Sequence, residues 1–145
     1  MKCLFLGYSS KKTKLIKFLR HKGIKVQNLT RKINQRDITD KDIIISFGYR
    51  KIINKRLIKK NKPIINLHIS YLPYNRGSHP NFWSFIDKTP SGVTIHEIGE
   101  GIDTGKIIYQ KKIYFNYKKN KSLTFRSTYL VLFNEIEKLF IKKFK

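Results

Sequence analysis

Pro63-Ile64-Ile65-Asn66-Leu67-His68 is an apolar run that ends on two polar side chains. A proline start followed by β-branched residues suits a strand. Side chains alternate along a strand, so Asn66 and His68 share one face. Upstream, Asp42-Ile43-Ile44-Ile45-Ser46-Phe47 is a second compact run, broken by Gly48. A run that is apolar at nearly every position fits a central parallel strand covered on both faces. Further back, residues 2–6 read as a strand and Gly7-Tyr8-Ser9-Ser10 as a turn with helix-capping hydroxyls. Residues 11–22 carry Leu15, Ile16 and Leu19 at helical spacing with Phe18 beside them, and Gly23 ends that helix. Residues 24–29 form the next strand. A strand-helix-strand start predicts a parallel sheet.

Residues 30–41 are polar and read as a loop with one short helical turn. Residues 49–60 read as a short basic helix or pair of turns, closed by Asn61 and Pro63. Downstream, residues 69–78 hold Pro73, Asn75 and Gly77 and form a loop. Residues 80–86 suit a short helix with aromatics on one side. Residues 92–98 and 106–115 alternate like two strands, joined by the glycine-rich Gly99-Glu100-Gly101-Ile102-Asp103-Thr104-Gly105. Residues 122–144 are an amphipathic helix. No repeat or linker divides the chain, so residues 1–145 read as one α/β domain.

Lys and Arg number 32 against 9 Asp and Glu, a net charge of +23. Such a field suits polyanions: nucleic acid, nucleotides or acidic membranes. The basic residues are mostly Lys, spread along a chain rich in Ile, Lys and Asn, which also fits a solvated surface encoded by an AT-rich genome. No apolar run approaches the roughly 20 residues of a membrane span. The start has no charged leader, and Cys3 is the sole cysteine, which excludes an internal disulfide and a cysteine zinc site. These features place the protein in the cytoplasm.

Open α/β sheets hold their sites at the carboxyl ends of their strands, where Asn66 and His68 lie. An amide beside an imidazole can polarise a carbonyl, hold the oxyanion formed on attack, and move protons near neutral pH. The plain alternative is a pair of satisfied polar residues. Asp103 stands in a loop whose glycines permit close approach to a ligand. Its carboxylate can orient the histidine or take a proton from an amine; the plain alternative is a turn residue. His79 and His96 have no HxH, HExxH or carboxylate-rich company, so no metal is expected. The turn at Gly7 matches no complete phosphate-loop fingerprint, which leaves an anion-binding helix start or an ordinary turn.

Three stretches together resemble the folate-dependent formyltransferase family: Asp42-Ile43-Ile44-Ile45-Ser46-Phe47-Gly48-Tyr49-Arg50; Asn66-Leu67-His68-Ile69-Ser70-Tyr71-Leu72-Pro73-Tyr74-Asn75-Arg76-Gly77; and Gly92-Val93-Thr94-Ile95-His96 continuing to Glu100-Gly101-Ile102-Asp103-Thr104-Gly105. Pro80-Asn81-Phe82-Trp83-Ser84-Phe85 and Leu123-Thr124-Phe125-Arg126-Ser127-Thr128-Tyr129 look most like the sugar N-formyltransferases. The resemblance implies a reduced Rossmann-like domain, with a mostly parallel sheet flanked by helices and a C-terminal helix. It implies 10-formyltetrahydrofolate as co-substrate, no metal, and a nucleotide-linked amino sugar as acceptor. It gives Asn66 the formyl oxygen, His68 charge stabilisation and proton transfer, and Asp103 the positioning of His68 and removal of the amine proton. The pterin would lie between Tyr49, Arg50, Lys51, Ile52 and the loop of Gly99, Glu100, Gly101, Ile102. Asn75, Arg76, Gly77 and Trp83 would face the sugar, and His96 would support the site.

The sequence departs from the family pattern between Thr30 and Asp42, where only a reduced α/β unit fits, and at Ser78-His79, where sugar enzymes often place a small residue and an aspartate. It stops at Lys145, short of the C-terminal module many relatives carry, and an apolar face on the last helix is suited to a homodimer. The competing readings are a formyltransferase for methionyl-tRNA or glycinamide ribonucleotide, a formyl-folate hydrolase, and a non-catalytic basic protein that binds nucleic acid. The tRNA enzymes use an extra C-terminal domain, and a pure binder has no use for Asn66, His68 and Asp103 together.

Overall fold

The computed structural model describes residues 1–59 and 63–144. The end of the basic segment expected at Lys60 and Asn61 lies outside the described residues. The elements run β1 (Lys2–Gly7), α1 (Leu15–His21), β2 (Lys25–Leu29), α2 (Gln35–Ile38), β3 (Ile43–Phe47), α3 (Lys55–Lys59), β4 (Ile64–His68), α4 (Pro80–Ile86), β5 (Ser91–Glu97), β6 (Ile107–Ile113) and α5 (Phe125–Lys143).

One six-stranded sheet has the order β2-β1-β3-β4-β5-β6. The first four strands are parallel, and β5 and β6 are added antiparallel as a hairpin on the β4 edge. The α/β reading with a mostly parallel sheet and a closing helix is the observed architecture.

Alternation along the strands splits the core in two. Cys3, Phe5, Ile45, Phe47, Leu67, Val93 and Ile95 pack on one face, under α1 and α5. Leu4, Leu6, Ile44 and Ile64 pack on the other, with Ile38 of α2 and Leu57 of α3. β3 is therefore covered on both sides, as its unbroken apolar run predicts. Asn66 and His68 follow Ile64 at the strand period, so they lie on the α2–α3 face at the strand's carboxyl end.

The first helix starts later than the periodicity predicts. The chain turns at Ser9, whose carbonyl accepts from Lys12 and Thr13 N–H, and α1 begins only at Leu15. Neither Ser9 nor Ser10 caps it. Thr13 Oγ1 accepts from Leu15 N–H, and the buried Glu137 carboxylate of α5 accepts from Lys14 N–H at 3.0 Å and from the Thr13 hydroxyl at 2.6 Å. With no acid in its own first turn, α1 takes its N-terminal negative charge from α5, which also locks the two helices together.

α5 begins where a capping box forms, with Thr124 accepting from Ser127 N–H and Ser127 Oγ accepting from Thr124 N–H. Among the described residues no helix is long and apolar enough to cross a membrane.

Candidate active site

β4 and β5 pair antiparallel with Asn66 opposite His96 and His68 opposite Thr94. Cross-strand partners share a face, so the pairing sets an imidazole against the Asn66 amide. A register shift between Ile95 and His96 falls at this point, as bulges near functional sites often do. Asp103 then arrives from the β5–β6 connection with φ 49°. A non-glycine residue in the left-handed region is uncommon, although Asp tolerates it.

The three side chains converge. Asn66 Nδ2 is 3.4 Å from Asp103 Oδ1, and His68 Nε2 is 3.6 Å from Asp103 Oδ2. Gly77 N–H donates to Asp103 Oδ2 at 2.8 Å, which holds the carboxylate. His96 is 1% exposed, and its Nε2 lies 3.1 Å from Asn66 Nδ2 and 3.5 Å from Asp103 Oδ1. His96 Nδ1–H donates to the Glu97 carbonyl at 2.8 Å. With Nδ1–H committed to Glu97, the ring's Nε2 faces the Asn66 amide and fixes which way it points.

His68 Nε2–H donates to the Asn75 carbonyl at 3.1 Å. Burial pushes the His68 imidazole below its ordinary value; the Asp103 charge and the Asn75 carbonyl pull the other way, and His96 adds to the lowering. His68 is therefore neutral at pH 7. For Asp103, burial acts to raise the carboxyl, but the His96 ring, the His68 charge and the Gly77 N–H outweigh it and hold the group below the usual carboxylate range. The cluster pairs an ionised acid with a neutral imidazole and an oriented amide.

Because Asp103 raises His68, Asp103→Asn is expected to move the His68 imidazole titration to still lower pH, read by NMR of the ring protons. An unmoved or upward shift counts against the coupling. With a folded value below the unfolded one near 6.5, His68 costs the native state stability as pH falls through that range.

The cluster opens into a cleft of about 1020 Å³. Tyr49, Arg50, Lys51 and Ile52 line one part of it and Gly99, Glu100, Gly101 and Ile102 another. Ile52 is 85% exposed and Ile102 70%, two apolar side chains open to a flat ring. Gly77 also lines the cleft, whereas Asn75, Arg76 and Trp83 do not. Asn75 instead holds His68 through its carbonyl and ties its side chain to Thr89 at 2.7 Å. Trp83 packs its ring on Phe82 at 5.2 Å. Cleft residues that the expected substrate contacts omit include Tyr8, Asn81, Phe82, Phe125, Arg126 and Tyr129. The signal for the last three was the capping pattern Thr124-Phe125-Arg126-Ser127, which fixes where α5 begins. Among the described residues no group of three or more His, Cys, Asp or Glu is arranged to hold a metal ion.

A family model described as formyl transferase matches residues 2–125. This chain belongs to that family. It superposes on PseJ from Anoxybacillus kamchatkensis with a TM-score of 0.89 and 41% identity, covering 98% of this chain and 74% of that one. The PseJ structure is a complex with UDP-4,6-dideoxy-4-formamido-L-AltNAc and tetrahydrofolate. GDP-perosamine N-formyltransferase of Brucella melitensis is 40% identical over 76 residues, 51% of this chain and 29% of that protein. A methionyl-tRNA formyltransferase of Thermodesulfovibrio yellowstonii is 41% identical over 80 residues, 54% of this chain and 25% of that protein. The chain spans less than a third of these two curated relatives.

Proposed function

We propose that this chain moves a formyl group from 10-formyltetrahydrofolate to the amine of a nucleotide-linked amino sugar. The observation that carries the reading is the convergence of Asn66, His68 and Asp103 within 3.6 Å at the floor of one cleft. The likeness to PseJ, whose complex pairs a formamido sugar nucleotide with tetrahydrofolate, supports both substrate classes.

The chemistry follows from the cluster. The amine nitrogen bonds to the formyl carbon, and the bond from that carbon to the folate nitrogen breaks. Charge gathers on the formyl oxygen in between. Asn66 meets it with an N–H: the bond to His96 holds the amide plane, and the weaker 3.4 Å contact to Asp103 is the one exchanged for the oxyanion. His68, neutral and donating from Nε2, supplies a second donor and moves a proton toward the leaving nitrogen. Asp103, ionised in the resting site, takes the proton the amine loses and passes it to His68, stabilises the imidazolium so formed, and is ionised again once His68 delivers a proton to the leaving nitrogen. The exposed Ile52 and Ile102 beside the glycine loop suit the pterin ring.

The test incubates the chain with 10-formyltetrahydrofolate and a panel of nucleotide-linked amino sugars, methionyl-tRNA and glycinamide ribonucleotide, followed by mass spectrometry. The expected result is one added formyl group on a nucleotide sugar. Formyl on tRNA or the ribonucleotide alone, or on no amine, overturns the reading.

A further inference from the structure

Eleven Lys and Arg precede Asp37, the first acid of the chain. α1 lies in this acid-free stretch, and it packs beside the second half of α5. Lys14 Nζ reaches the Glu137 carboxylate at 3.6 Å, and Phe18 meets Phe144 edge-on at 5.9 Å. Together the two helices carry two acids, Glu135 and Glu137. Both are already engaged. Glu137 is buried against Thr13 and Lys14, and Glu135 bridges Lys111 and Lys138. Lys17, Arg20, Lys22 and Lys142 are exposed and have no acidic partner among the described residues. This flank of the fold therefore holds positive charge that nothing in the chain neutralises.

Its second feature is apolar. α5 buries Leu132, Phe133, Ile136 and Phe140 and turns its opposite side to solvent. Val131, Lys138 and Lys142 recur on that outer side at helical spacing, with Leu130 next to Val131. Val131 is 40% exposed and Leu130 48%. Aliphatic groups set among lysines on the outside of a helix match the boundary of an anionic bilayer. The methyls enter the headgroup layer, the lysine stems lie along it, and the ammonium groups meet lipid phosphates. Nucleic acid has use for the charge but none for Leu130 and Val131, and its binders favour arginine forks and aromatic faces. A second copy of the chain would set lysine against lysine.

The catalytic cleft opens where α5 begins, lined there by Phe125 and Arg126. Lys142 stands at the other end of that helix and Lys22 just past the end of α1, so the flank and the cleft can be occupied together.

We propose that the outer flank of α1 and α5 docks on an anionic lipid bilayer, with Lys17, Arg20, Lys22 and Lys142 at the headgroups and Leu130 and Val131 at the acyl boundary. The docking is independent of which amine is formylated.

The intact chain is mixed with vesicles of equal parts phosphatidylglycerol and phosphatidylcholine, with pure phosphatidylcholine vesicles as the reference, and bound protein is read by cosedimentation. Binding to the anionic vesicles is expected to be about tenfold tighter or more, and to weaken as salt rises. Lys17→Gln combined with Lys142→Gln is expected to weaken it about tenfold or more. Lys118→Gln combined with Lys119→Gln removes the same charge from the connection before α5 and should change binding by less than about threefold. Leu130→Ser combined with Val131→Ser should weaken it severalfold. All of these side chains are exposed, so melting temperatures should stay near the parent's. Arg20→Gln combined with Lys22→Gln carries the same test should the first pair fold poorly. Equal binding to both kinds of vesicle, or equal losses from the flank and control lysines, overturns the assignment. Displacement from vesicles by single-stranded RNA, with the Leu130 and Val131 variant binding as the parent does, also overturns it, because the flank is then a nucleic-acid surface. A dimer seen by sedimentation velocity without vesicles, and lost in the Leu130 and Val131 variant, overturns it as well, because a second copy then covers the flank.

Discussion

Asn66→Ala is expected to lower kcat by about a hundredfold to a thousandfold, the usual cost of one oxyanion donor, roughly 2.7–4 kcal/mol of barrier. KM for either substrate should change little, because the Asn66 N–H meets a charge that exists only as the carbonyl is attacked. The wild-type geometry explains why no neighbour can substitute. His96 Nε2 is an acceptor in the neutral ring, and Asp103 Oδ1 is an acceptor in its ionised form. Of the groups around the expected oxygen, only Asn66 and His68 have hydrogens to give. Steady-state kinetics with the acceptor found in the mass-spectrometric panel measures the effect. A kcat within threefold of the parent would remove Asn66 from the chemistry. A tenfold rise in KM at unchanged kcat would make it a binding residue only.

Part of this site is legible in the chain because its geometry is local. Asn66 and His68 share a face through the strand period alone, and Ile64 in the core fixes which face that is. Three of the four parallel strands, β1, β3 and β4, announce themselves as apolar runs bounded by Gly7, Gly48 and polar turns. What stays hidden depends on pairings far apart in sequence. The setting of His96 against Asn66 requires the antiparallel register of β5 on β4, which no local pattern specifies. Glu137 finishes α1 from more than a hundred residues away, which is why helical spacing over residues 11–22 overestimates the helix at its start. Trp83 reads from sequence as a substrate contact, yet on a seven-residue helix the residue turned to the cleft is its neighbour Phe82. One position along a helix rotates a side chain by about 100°, enough to exchange the two.

The β5–β6 connection should tolerate change very unevenly, and Gly105→Ala is expected to be its most damaging single methyl. A Cβ at Gly105 would stand 1.7 Å from the Glu97 carbonyl oxygen and 2.9 Å from Gly99 N. Both are backbone atoms, and Glu97 N–H is itself committed to the Lys106 carbonyl at 2.9 Å. The strands cannot close over the added carbon, so the connection must open where it leaves β5. Asp103 lies two residues upstream with its carboxylate held by Gly77 N–H, and Gly99 to Ile102 line the cleft. An opening of about 1 Å is enough to cost on the order of a hundredfold in rate by misplacing a reacting group. Overpacking of this kind costs about 1–3 kcal/mol, a fall of several degrees in Tm for a chain of this size. The expected signature is therefore a kcat loss far larger than the stability loss, with a raised KM for folate as the loop wall shifts. Gly101→Ala supplies the contrast. Its Cβ meets Thr104 Oγ1 at 2.7 Å and Thr104 Cγ2 at 3.0 Å, atoms of a side chain that can rotate away. That variant should keep activity within about tenfold of the parent. If Gly105→Ala and Gly101→Ala behave alike in kinetics and in thermal melts, backbone closure at Gly105 does not place Asp103, and the carboxylate owes its position to Gly77 alone.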